Sequence, residues 1–167
     1  EVFVIDDILA DGERISSSRI RQTLRDGNVK NAMKMLGRPF RIAGEVVPGA
    51  NRGRKLGFRT ANLYWDNDYI VPHDGVYLTR VYLDDLEAPY YYGMTNIGTN
   101  PTFTEADNTK IETHIFDLDE DLYGKRMWLE FLSYERGDIK FDTADELIEV
   151  MKEDEAILRS WIPQFEV

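Results

Sequence analysis

Glu112 lies in Ile111-Glu112-Thr113-His114-Ile115-Phe116, where apolar and polar residues alternate. On a strand, that alternation puts Ile111, Thr113 and Ile115 on one face and Glu112, His114 and Phe116 on the other. A carboxylate among apolar neighbours is partly desolvated, which raises its proton affinity toward the range of a general base. The competing reading is a surface glutamate on an edge strand. His114 alone reads as a hydrogen-bonded structural histidine sooner than as a ligand.

Two further groups carry chemistry. In Thr60-Ala61-Asn62 a hydroxyl and an amide oxygen, two residues apart on an extended chain, point the same way. They can share a hard cation such as Mg²⁺, which takes oxygen ligands and keeps several waters; an ordinary Asn/Thr turn is the alternative. Just upstream, residues 44–57 hold four glycines and the cations Arg52, Arg54 and Lys55. Glycines let backbone N–H groups approach an anion, and the cations neutralise it. No Gly-Lys-Ser/Thr follows, so this is not a Walker loop; it is either a phosphate-binding loop or a hairpin.

Composition removes other chemistries. The 167 residues include no Cys, which excludes disulfides, thiolate zinc sites and Cys nucleophiles, and only two His, His73 and His114, far apart in sequence. A Cys-free chain fits a reducing compartment, and the expected location is cytoplasmic. The net charge of −11 disfavours nucleic acid and anionic membrane surfaces as partners. Residues 12–59, however, hold twelve bases and three acids, a net +9 in an otherwise acidic chain. Such a segment suits a small anionic ligand, or is simply a charged, solvated face.

These groups need elements to hold them. The Ser16-Ser17-Ser18 cluster ahead of Ile20 and Leu24 predicts a helix stopped by Asp26-Gly27-Asn28, and a second helix runs over 29–36 to Gly37-Arg38-Pro39. Strands are predicted at 41–47, 75–83, 89–97, 111–117 and 127–135, a pattern of five or six strands that favours a small barrel or sandwich. A last helix begins near Thr143 and Glu146, with Leu147, Val150, Met151, Leu158 and Trp161 at helical spacing. Its seven acids (Asp142, Asp145, Glu146, Glu149, Glu153, Asp154, Glu155) read as a solvent face. The opening Glu1 and apolar Val2 to Ile5 read as a strand cut from a longer protein.

The order of a Gly-rich basic loop, Thr60-Ala61-Asn62, the run from Gly93 through Thr95-Asn96-Ile97-Gly98 to Pro101-Thr102-Phe103, and Glu112-Thr113-His114-Ile115-Phe116 resembles riboflavin kinase. Asp121-Leu122-Tyr123-Gly124-Lys125 is similar to that family's segment after the catalytic strand. The resemblance runs from about Arg38 to the C terminus. Upstream, Ile15-Ser16-Ser17-Ser18-Arg19-Ile20-Arg21 looks like the closing signature of the FMN adenylyltransferase module that bacteria fuse ahead of the kinase. Two parts are therefore expected: 1–37, a remnant of that module with linker helices, and 38–167, a riboflavin kinase domain.

The resemblance implies a mainly β fold, a six-stranded Greek-key barrel with a C-terminal α-helix, preceded by the short helical remnant. It implies transfer of the ATP γ-phosphate to the ribityl 5′-hydroxyl of riboflavin, giving FMN and ADP, with Mg²⁺ as cofactor and the adenylyltransferase module as partner in the full-length protein. FAD synthesis is not expected of these 167 residues. By position, Gly49 and Lys55 (or Arg54 in its place) belong to the nucleotide loop. Thr60 and Asn62 match the pair that holds Mg²⁺ and the ATP phosphates, Glu112 the general base, and Arg136 an arginine near the flavin end. Tyr90-Tyr91-Tyr92 and Phe103 offer stacking surface or, equally, core. Two positions depart from the pattern: Arg59 replaces the usual Pro before Thr-Ala-Asn, and Asp138 replaces a Glu. The runner-up, which Arg59 favours, is a non-catalytic flavin-binding or regulatory module with a degenerate Mg–ATP site.

Overall fold

In the computed structural model, which describes residues 7–49, 57–65, 69–99 and 109–166, a short ribbon of β1 (Leu9–Ala10) and β2 (Glu13–Arg14) leads into two helices. α1 (Ser17–Arg25) starts where the Ser16 hydroxyl accepts the Arg19 N–H at 3.2 Å, meeting one of the donors a first helical turn leaves open. α2 (Val29–Leu36) starts on Asn28, which accepts from the Asn31 N–H at 3.2 Å. It ends on Gly37 at φ +70°, a left-handed cap that glycine adopts without strain. The apolar run at 2–5 lies outside the described residues.

Six strands follow: β3 (Phe40–Val47), β4 (Ala61–Tyr64), β5 (Gly75–Leu83), β6 (Tyr91–Thr99), β7 (Thr109–Ile115) and β8 (Arg126–Arg136). They close into an antiparallel barrel in the order β3-β4-β7-β6-β5-β8. β5, β6 and β7 form a meander and β4 lies beside β7, the Greek-key arrangement. The five predicted strands are present with ends shifted by up to two residues. β6 starts after Pro89, which has no N–H for a ladder. β4 is an addition: with only four residues it gave no periodicity of its own.

Inward-facing residues make the core. Ile42, Val46, Leu63, Tyr77, Val81, Ile97, Ile111, Ile115, Leu129 and Phe131 form one buried cluster. Leu24, Val29 and Ala32 belong to the same cluster, and the His73 N–H donates to the Leu24 carbonyl at 3.1 Å. Each large aliphatic buried this way contributes about 1.5–3 kcal/mol, so the helical pair is held against the barrel rather than strung beside it. Inside the barrel Thr79, Thr95 and Thr113 are fully buried, and their hydroxyls satisfy one another at 2.8 and 2.9 Å.

α3 (Ala144–Trp161) covers part of the outside. Thr143 caps it by accepting the Glu146 N–H at 3.2 Å, as its sequence predicts. Its Leu158, with Met151 and Trp161, packs on Val76, Leu78, Met94, Phe116 and Leu132 of the barrel's outer face. The expectation that all seven acids face solvent is corrected here. Asp154 is 4% exposed because it pairs with Arg136 of the barrel, and Glu155 is half-buried facing the His114 ring, whereas the other five are exposed. Among the described residues no helix is long and apolar enough to cross a membrane.

Candidate active site

Because Ile111, Thr113 and Ile115 are drawn into the core, Glu112 and His114 must face outward on β7. The same parity turns Asn62 outward between buried Ala61 and Leu63, and Asn96 outward between buried Thr95 and Ile97. The ladder register then aligns them: Asn62 pairs with Glu112, and Glu112 with Asn96. Directly opposed residues on one face stand about 4.5–5.5 Å apart at Cβ. Glu112 thus has Asn62 and Asn96 as its cross-strand neighbours, and among the described residues it makes no hydrogen bond or ion pair through its side chain. Asn96 was not singled out from the sequence. The signal lay in the run Thr95-Asn96-Ile97-Gly98, but only the strand register shows which of its residues meets Glu112.

Thr60 precedes β4 and, with Arg59, Asn62, Leu118, Asp121 and Tyr123, lines a cavity of about 100 Å³. Gly49 bears directly on this corner. A Cβ there would overlap the Asn62 carboxamide, whose oxygen, the farthest of the three atoms met, would stand only 2.8 Å away. The absence of a side chain at 49 is what lets the loop strand pass against Asn62. The structure therefore brings Gly49, Thr60, Asn62 and Glu112 into one region. Arg59 pairs with exposed Asp119 at 2.6 Å. Lys55, its possible substitute Arg54, and Phe103 lie outside the described residues.

The donor set bears on a metal. Thr60 and Asn62 offer two neutral oxygens, and among the described residues no cluster of three or more His, Cys, Asp or Glu can hold an ion. That fits Mg²⁺ brought in on nucleotide phosphates with much of its water, and does not fit a resident metal caged by protein carboxylates.

Arg136 is elsewhere. The same register row continues from Asn96 to Val76 and from Val76 to Arg136, so Arg136 is three strands from Glu112, about 14–15 Å along the sheet. Its guanidinium grips Asp154 of α3, Nε to Oδ1 at 2.9 Å and Nη2 to Oδ2 at 2.6 Å, while Nη1 donates to the Gly137 carbonyl at 2.8 Å. This pair fastens α3 to the barrel. Arg136→Met should strand the buried Asp154 carboxylate and cost about 3 kcal/mol, since breaking a buried pair from one side leaves an uncompensated charge. Urea unfolding measures it; an unchanged midpoint would show that the pair holds nothing. Tyr82, Tyr90 and Tyr92 likewise pack together on the outside, with the Arg80 guanidinium 4.6 Å over the Tyr90 ring. Asp138 accepts the Ile139 N–H at 3.1 Å in the loop after β8.

A family model described as Flavokinase: Riboflavin kinase matches residues 36–162. The bifunctional riboflavin kinase/FMN adenylyltransferase of Listeria monocytogenes is 32% identical over 166 residues, 99% of this chain and 52% of that protein. The Bacillus subtilis protein of the same name is 37% identical over 153 residues, 90% of this chain and 48% of that one. The chain thus spans about half the length of the curated relatives it matches. A Streptococcus pneumoniae crystal structure, named there a macrolide-efflux protein, superposes with a TM-score of 0.85 at 38% identity, covering 94% of this chain and 50% of that one. Riboflavin kinase from Trypanosoma brucei shares the fold, with a TM-score of 0.54 at 23% identity over 75% of this chain and 80% of its own. With the kinase family model spanning the whole barrel and α3, this chain belongs to the riboflavin kinase family.

Proposed function

We propose that the chain phosphorylates riboflavin: the ribityl 5′-oxygen attacks the γ-phosphorus of ATP, the bond to the β-bridging oxygen breaks, and FMN and ADP leave. The observation that carries this is the outward row Asn62–Glu112–Asn96, whose central carboxylate makes no ion pair among the described residues and whose Asn62 end lines the cavity with Thr60. Glu112 takes the hydroxyl proton as the new P–O bond forms. Thr60 and Asn62, with the backbone at Gly49 and the cation at Lys55, hold the phosphates. Bound Mg²⁺ would neutralise charge on the transferring group. The Arg136 end of the row is where the flavin ring is proposed to lie, so the acceptor hydroxyl reaches Glu112 from the side opposite the nucleotide.

The family match beginning at residue 36 supports a kinase unit starting near residue 38; an adenylyltransferase module is proposed to precede this chain in the full-length protein, and the proposed location is cytoplasmic. Substrates here are riboflavin and ATP, not nucleic acid or membrane. Thr60→Ala should raise the nucleotide KM and lower kcat while leaving riboflavin affinity unchanged; collapse of flavin affinity with normal ATP kinetics would remove Thr60 from the phosphate end. The function itself is tested by coupled ADP release with Mg²⁺ and ATP, with and without riboflavin. Riboflavin-dependent ADP is expected. Flavin binding without turnover would favour the non-catalytic module instead.

A further inference from the structure

His114 shares the outward face of β7 with Glu112, two residues further along. Its Nδ1 lies 2.8 Å from the Arg59 carbonyl oxygen. A carbonyl only accepts, so Nδ1 carries the proton and donates. Phe58 and Phe116 enclose the ring edge-on, with centroids at 5.1 and 5.9 Å. Its Nε2 faces Glu155 Oε2 of α3 at 3.7 Å. Glu155 is in turn held by Arg159 at 2.8 Å, and the Arg159 fork closes on Asp117 through two 2.9 Å bonds while lying 4.4 Å over Phe116. Arg159 keeps the Asp117 carboxyl below the usual carboxylate range. Imidazole, helix and strand are therefore locked together around one backbone carbonyl.

That carbonyl belongs to the peptide joining Arg59 to Thr60. The peptide is planar, so holding its oxygen also fixes the N and Cα of Thr60. Thr60 itself precedes the first β4 ladder pair, Ala61 with Thr113, and gains no register from the sheet. We propose that His114 is a positioning residue whose Nδ1–H sets the Arg59–Thr60 peptide plane and so aims the Thr60 hydroxyl at the nucleotide phosphates and their metal. This rests on the kinase reading. A proline at 59 would stiffen the turn from within; with Arg59 in its place, the turn is held from outside by a side chain of the catalytic strand.

Two amide variants separate the donor from mere bulk. His114→Asn puts a carboxamide N–H at the position of Nδ1, whereas His114→Gln places its amide one bond further out. Affinities for ADP with Mg²⁺, and separately for riboflavin, are measured by calorimetry. His114→Asn should bind Mg²⁺–ADP within about threefold of the native protein, because the carbonyl keeps a donor. His114→Gln should weaken it on the order of 10-fold, with riboflavin affinity unchanged. Equal nucleotide affinities in the two variants, or parallel loss of riboflavin binding, would overturn the proposal. ¹⁵N spectra of the native imidazole provide a test independent of variant folding: a protonated Nδ1 is expected, and an unprotonated one overturns it. Native protein that binds no Mg²⁺–ADP would instead refute the kinase reading.

Discussion

Glu112→Gln is expected to fold, to bind riboflavin and nucleotide like the native chain, and to turn over about 10²-fold more slowly or worse, the scale of a lost general base. The substitution is nearly isosteric and removes one charge from a half-exposed position that makes no ion pair among the described residues. It therefore disturbs little besides proton acceptance. Among the described residues its side chain makes no hydrogen bond that the amide would lose, so binding survives. Near-normal kcat in the Gln variant would show that the proton leaves by another route. A matching loss of riboflavin affinity would make Glu112 a flavin-binding residue instead.

The second large effect belongs to Gly49. Adding a methyl group at this position forces the Asn62 carboxamide to rotate away, since no Cβ fits against it. Gly49→Ala should raise the nucleotide KM and lower kcat, together on the order of 10–100-fold in kcat/KM, the usual cost of displacing a metal-facing group. Folding should be little affected, because Gly49 lies past the end of β3 and outside the core. The mechanism makes a sharper claim. If the methyl acts through Asn62, Gly49→Ala combined with Asn62→Ala should be no worse than Asn62→Ala alone. Additive losses would mean that residue 49 meets the phosphates directly.

How legible all this was in the sequence depended on the range of the interaction concerned. Capping by Ser16 and Thr143 is local, and each appears where the residue order places it. Alternation along 111–116 assigned the outward face of β7 correctly because burial of Ile111 and Ile115 enforces it. The register between strands is not local. Nothing in the order of residues states that Asn62 and Asn96 flank Glu112, and so Asn96 passed unnoticed. The same holds for α3: a run of acids reads as solvated until Arg136 and His114 are seen to approach Asp154 and Glu155. Arg136 shows the converse, a residue matched by position whose guanidinium the fold commits to a helix.

The central claim is that this outward row on the barrel transfers one phosphoryl group to a flavin hydroxyl. Following the γ-phosphorus by ³¹P NMR, with native protein, riboflavin, ATP and Mg²⁺, tests it most directly. The account predicts that the γ resonance is replaced by the phosphomonoester signal of FMN, in equal amount with ADP. Appearance of inorganic phosphate in its place, or an unchanged ATP spectrum with riboflavin bound, would contradict it.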